Sequence, residues 1–184
     1  TLPVLRVEIE DPAERAVTQA ILAGMLNSTI LDFVARTKIL SNHASWYVLE
    51  QLPVVNKPVL DATRFGSKTA AEIIREIVLE LTYTAHDMAA FAADIGHVDE
   101  RGAVLPPFVW DDERRFLLRA KLDAVFFHVY GISDRDEISY IYSTFPIVER
   151  EEKEAYGGTY RTCEVCLAYM NALGAGNPDA EVML

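Results

Sequence analysis

With 184 residues, 51% of them apolar and 10% aromatic, the chain has the composition of a folded domain rather than a disordered one. Its 28 Asp and Glu against 17 Lys and Arg leave a formal charge of −11, which argues against a free-standing nucleic-acid binder. DNA contact at one patch is still open to it, provided a basic neighbour holds the backbone. Cys163 and Cys166 do not amount to a secreted disulfide framework, and no apolar run reaches the roughly 18 residues that cross a bilayer. No basic-then-apolar leader opens the chain, so a reducing, cytoplasmic setting without a membrane is the expectation. The chain begins without Met, directly in an alternating segment. A C-terminal piece of a larger protein is therefore expected.

Residues 3–9 alternate Val4, Leu5, Val7 and Ile9 with Arg6 and Glu8, which predicts a strand ended by Asp11-Pro12. Val17, Ala20, Ile21, Gly24 and Met25 then recur at helical spacing through residue 26. Asn27-Ser28 interrupts, and Ser28 can cap a second helix carrying Ile30, Leu31, Phe33 and Val34. One kinked helix is the alternative. Residues 44–50 (ASWYVLE) have the aromatic and β-branched content of a strand, limited by Pro53. The Gly, Pro and Asn content of 54–69 predicts a loop or hinge. The longest helical pattern covers 70–94, with Ala71, Ile74, Val78, Leu81, Ala85, Met88 and Phe91 in one stripe. Another loop spans 96–107.

Trp110-Asp-Asp-Glu113 opens a helix whose first-turn acids suit the helix dipole, and Leu117, Ala120, Ala124 and Phe127 share a face up to Tyr130-Gly131. Ser133-Asp-Arg-Asp136 resembles a capping box for a short helix through Tyr142. Thr144-Phe-Pro146 reads as extended, Glu149–Glu154 as a solvated charge run, and residues 159–173 as the last helix. The sum is an α+β chain, mainly α-helical, with a helical C-terminal part and a small β component near the N-terminus. Its divisions are 1–58 (helix, loop and strand), 59–69 (loop or hinge), 70–173 (helical) and 174–184 (a mobile tail).

Motifs for chemistry are sparse. Gly24, Gly66, Gly96, Gly102 and Gly131 stand alone, so no Gly-rich turn follows a strand to cradle a nucleotide or methyl donor. There is no Asp/Asn-Pro-Pro-aromatic tetrapeptide of the kind that grips a flipped adenine. Pro178-Asp179-Ala-Glu181 lacks the Lys that a metal-dependent nuclease core needs. Cys163 and Cys166 have no second ligand pair for zinc and read as buried thiols. His86 and His128 lie in helical stripes beside aromatics and read as packing or surface residues, while Asp111, Asp112 and Glu113 are first-turn helix acids. No metal ligand set, cofactor site or catalytic residue is assigned.

The segment 36–45 differs from all of these. It collects Arg36, Lys38, Asn42, His43 and Ser45 between a helix and an anchored aromatic stretch. Arg and Lys reach phosphates or guanine edges, and Asn suits adenine. Arg64 and Lys68 in the next loop can extend the patch. The plainer reading is an ordinary connecting loop whose Arg36 caps helix carbonyls.

These residues also carry a resemblance. Residues 26–54, LNSTILDFVARTKILSNHASWYVLEQLPV, resemble a stretch that follows the catalytic domain in large single-chain DNA adenine methyltransferases of restriction-modification and related phage-defence systems. The likeness continues in LTYTAHDMAAFAADIG, in PPFVWDDERRFLLRAKLDAVFFHVYGIS, and in ISYIYSTFPIV followed by YGGTYRT, covering about residues 15–173. It implies a non-catalytic C-terminal target-recognition and scaffold fragment. S-adenosylmethionine and the adenine pocket would belong to an upstream methyltransferase domain, and double-stranded DNA would be the partner of the whole protein. Residues 27–53 are similar to part of the target-recognition region, and the helices from Trp110 onward would pack it against the enzyme. Ile39-Leu40-Ser41 stands where such proteins often have glycines, which stiffens the loop. The competing reading is a structural or protein-interaction module that never touches DNA, for which the acidity speaks. A stand-alone hydrolase would rest only on His86, His128 and isolated carboxylates.

Overall fold

The computed structural model describes residues 6–39 and 46–182. Helices dominate the described residues: α1 (Pro12–Leu26), α2 (Thr29–Lys38), α3 (Trp46–Leu49), α4 (Lys57–Ala62), α5 (Ala70–Thr82), α6 (Ala89–Asp94), α7 (Asp112–Val129), α8 (Arg135–Ser143), α9 (Pro146–Ala155) and α10 (Arg161–Gly174). A two-stranded antiparallel hairpin, β1 (Arg64–Phe65) and β2 (Lys68–Thr69), stands between α4 and α5. The protein is thus mainly helical with a small β component ahead of its helical C-terminal part, as its composition and patterning led one to expect.

Local chemistry sets most of the boundaries. Asp11 caps α1 through the Glu14 amide, with Pro12 in the first turn where its missing N–H costs nothing. Ser28 caps α2, so the chain turns by 64° between two helices rather than kinking one. Asn56 caps α4, Thr69 and Glu72 form a reciprocal capping box at α5, Asp111 caps α7, and Asp134 caps α8 through the Asp136 and Glu137 amides.

The centre is α7. Leu122 to Phe127 are buried without a break, so its second half is surrounded on every side instead of showing one apolar face. It packs against α10, α5 and α2. Helix α5 lies between α7 and α1, and approaches α1 closely at Gly24. A Cβ there would stand 3.1 Å from methyl carbons of Ile74 and Val78. One apolar cluster runs from Ala16 through Leu52 and Leu60 to Leu173, so residues on both sides of the hairpin share a core.

Several local expectations are corrected. Residues 46–49 form a single helical turn, not a strand: no neighbouring strand offers a ladder, and β propensity without a partner surface decides little. Residues 6–9 join no sheet. Within 59–69, expected as loop, α4 and the hairpin appear; Gly66-Ser67 is the two-residue turn, with Gly66 at φ 60°. The 70–94 stripe breaks after Thr82 because Tyr83 leaves the helix and serves the 105–108 loop. Its carbonyl accepts the Phe108 amide at 2.9 Å, and its hydroxyl donates to the Leu105 carbonyl at 3.0 Å. Pro146 begins α9 rather than continuing an extended run. Beyond α10, Lys121 donates to the Pro178 carbonyl, and Asp179 pairs with Lys68.

Candidate nucleic-acid interface

The end of α2 presents Arg36 and Lys38. Arg36 is committed to its own surroundings: its Nε and a terminal nitrogen each lie 3.0 Å from a carboxylate oxygen of Asp32, and its plane sits over Phe145 at 4.6 Å. The ion pair with Asp32 raises its already high pKa, so it stays charged, but the charge is largely answered. Lys38 is exposed, and among the described residues it has no ion pair. Asn42, His43 and Ser45 lie outside the described residues.

The second pair of cations sits elsewhere. Arg64 donates across its own hairpin turn to the Ser67 carbonyl at 2.9 Å. Lys68 reaches Glu76 at 2.8 Å and Asp179 at 3.1 Å, two carboxylates that raise its pKa and screen it. The hairpin's own contacts run to the C-terminal turn at Gly176, whereas Arg36 faces the α8–α9 corner. No described contact brings the two groups of cations together. Of the cations singled out from the sequence, Lys38 is left most open to a large partner.

Two side chains at this edge escaped the sequence reading. Trp46 and Tyr47 fall in the segment expected as a strand, but they lie in the short α3 and are 54% and 74% exposed. On the surface of α8, Tyr140 is also exposed and meets Phe33 edge-on. The usable sequence signal was Pro53: a strand that must stop there has little room to bury two adjacent aromatics.

What fixes α2 in place is Asp123 on α7. One carboxylate oxygen accepts the Thr29 amide at 2.7 Å; the other accepts the Thr29 hydroxyl at 2.8 Å and the Tyr142 hydroxyl at 3.1 Å. Full burial pushes this carboxyl up to about 6, while the three donors pull it back toward the ionised form. Cys163 and Cys166 are free and buried, and burial raises both thiols. His128 faces the Met170 carbonyl at 3.0 Å and the Phe65 ring, so it packs the hairpin onto α7. Among the described residues no His, Cys, Asp and Glu are grouped to hold a metal, and no single helix is long and apolar enough to cross a membrane.

No family model, curated protein or solved structure matches the chain.

Proposed function

We propose that this chain is the non-catalytic C-terminal recognition and scaffold region of a restriction-modification type DNA adenine methyltransferase. One observation carries the reading. The segments that bear the resemblance are the same ones that hold each other in place. Thr29 of the first segment binds Asp123 of the third, which binds Tyr142 of the fourth. Tyr142 meets Tyr160 of the last segment edge-on at 5.7 Å. Tyr83 of the second accepts the Phe108 amide, and the Tyr130 hydroxyl returns to the Pro53 carbonyl at 2.6 Å. The likeness therefore falls on residues that specify a frame, not on scattered surface matches.

In this reading the frame presents Lys38, Trp46 and Tyr47 to double-stranded DNA, with Lys38 on a phosphate and the exposed Trp46 and Tyr47 against sugar or base. S-adenosylmethionine and the flipped adenine belong to an upstream domain. In the same reading no step of methyl transfer is routed through this chain. The test is made in the full-length protein. Lys38→Ala combined with Trp46→Ala should weaken target binding and leave S-adenosylmethionine binding intact. Unchanged target affinity would overturn the role of this edge, and an upstream sequence without methyltransferase motifs would overturn the whole reading.

A second reading, a protein-interaction scaffold without DNA contact, is favoured by one specific finding. Arg36 and Lys68 are both answered by carboxylates. A full-length protein that loses its assembly with the catalytic domain, and not its DNA affinity, on Trp46→Ala and Tyr47→Ala would decide for it.

A further inference from the structure

A cleft of about 600 Å³ lies between the α1–α2 elbow, the end of α5 and the α9–α10 pair, with α7 along its length. That volume is in the range of small-molecule sites. Gly24, Val78, Ala120 and Leu122 contribute apolar surface to it, and Arg115 and Arg119, about one turn apart on α7, both line it. Arg115 is pre-oriented: it lies 3.7 Å from the centroid of the Trp110 ring, and one terminal nitrogen donates to the Leu81 carbonyl at 2.9 Å. A guanidinium has several further N–H donors, which those contacts leave open.

The charges around the cleft are unevenly answered. Arg119 is exposed and has no ion pair among the described residues, whereas Arg36, Arg114, Arg135 and Arg161 each face a carboxylate. The cleft's own carboxylates are hydrogen-bonded to other groups, and Arg119 is close enough to Asp123 for its charge to favour the ionised carboxylate without an ion pair. Asp123 is taken by Thr29 and Tyr142, and Glu152 accepts the amide and the hydroxyl of Thr162 at the start of α10. On a chain of net charge −11, two neighbouring arginines with donors to spare over an apolar floor are a specific arrangement.

We propose that this cleft binds the phosphate of a nucleotide-sized ligand. Arg115 and Arg119 bond the phosphate oxygens, and the apolar floor takes the attached base or sugar. Phosphate fits better than a lone carboxylate because its three outer oxygens can be shared by two planar forks. The source is a free nucleotide or a residue of a nucleic-acid strand; the recognising chemistry is the same. Lys38, Trp46 and Tyr47 do not line this cleft, and the proposal stands or falls without them.

The test is a titration of the 184-residue chain followed by amide and indole NMR. The Trp110 indole N–H, which donates to Asp112 at 2.8 Å, reports on its neighbour Arg115, and Trp46→Phe assigns the two indole signals. The probes are adenosine monophosphate, inorganic phosphate, a short DNA duplex and an acidic peptide. Adenosine monophosphate is expected to shift the Trp110 indole and the α7 amides with a Kd of about 0.1 mM, weakened about tenfold or more by Arg119→Ala and abolished by Arg119→Glu. The same Arg119-dependent shift with the duplex alone also supports the site and names the strand as the source. Silence with both phosphate esters, an unaltered response in Arg119→Ala, or a response to the acidic peptide alone would overturn it. Equal affinity for inorganic phosphate would overturn the role given to the apolar floor.

Discussion

The Asp123 carboxylate accepts the Thr29 amide at 2.7 Å across 94 positions of sequence, and the same bond that caps α2 ties it to the central helix. An acid that completes a helix start from another element locks orientation as well as stability. Asp123 also holds Tyr142, so α2, α7 and α8 share one polar point inside an otherwise apolar core.

That point should titrate late. Burial pushes Asp123 up to about 6 from an ordinary 3.8, so its sign is opposite to that of most stabilising carboxylates. Below the ordinary value both folded and unfolded chains hold the proton. Between the two values only the folded chain holds it, so stability falls as pH rises through this window and levels off above 6. The contribution is on the order of 3 kcal/mol at most. The difference in unfolding free energy between the native chain and Asp123→Asn should decline from pH 4 to 6, and a carboxyl carbon NMR titration should place Asp123 near 6. Thr29→Val, which removes one donor to the carboxylate, should move that midpoint higher still. A midpoint at the ordinary value refutes the assignment.

Ser28 closes the elbow between α1 and α2. Its hydroxyl donates to the Met25 carbonyl at 2.7 Å and accepts from the Leu31 amide at 3.4 Å, fully buried. Ser28→Ala removes both contacts and should cost about 1–2 kcal/mol in urea unfolding, more than an exposed cap would. A change below a few tenths would mean the elbow is held by Thr29 and Asp123 alone.

Gly66 and Gly131 make a controlled pair. Both sit at positive φ, 60° and 77°, but only at Gly66 would a Cβ meet backbone, 2.1 Å from the Gly176 carbonyl oxygen. Gly131→Ala should cost about 1 kcal/mol of backbone strain alone. Gly66→Ala should cost more, and should also release residues 176–182 to faster amide exchange. Equal effects at both positions would show that the hairpin does not pin the C-terminal turn.

The cations of the candidate edge are expected to separate in salt dependence. In the full-length protein Lys38→Ala should lower the salt slope of DNA binding by about one unit, as loss of one phosphate contact does. Lys68→Ala should leave it unchanged, since Glu76 and Asp179 already occupy that ammonium. A larger effect at Lys68 would place the DNA on the hairpin side.

The sequence by itself determined the class of the fold and the starts of α1, α2 and α5, because caps and stripes act within a few residues. Asp11-Pro12 and Ser28 do locally what their types dictate, whereas α8 is capped by Asp134 rather than Ser133, and Asp111 caps α7 from outside its first turn. It also located the break at Asn27-Ser28. Only the tertiary structure decided that Trp46 and Tyr47 face outward, that Tyr83 ends a helix to serve a distant loop, and that Lys68 is answered by Asp179. The reason is range. A cap, or an i,i+4 pair such as Arg36 with Asp32, is settled within its own helix, but Asp179 reaches Lys68 only through the packing around α7.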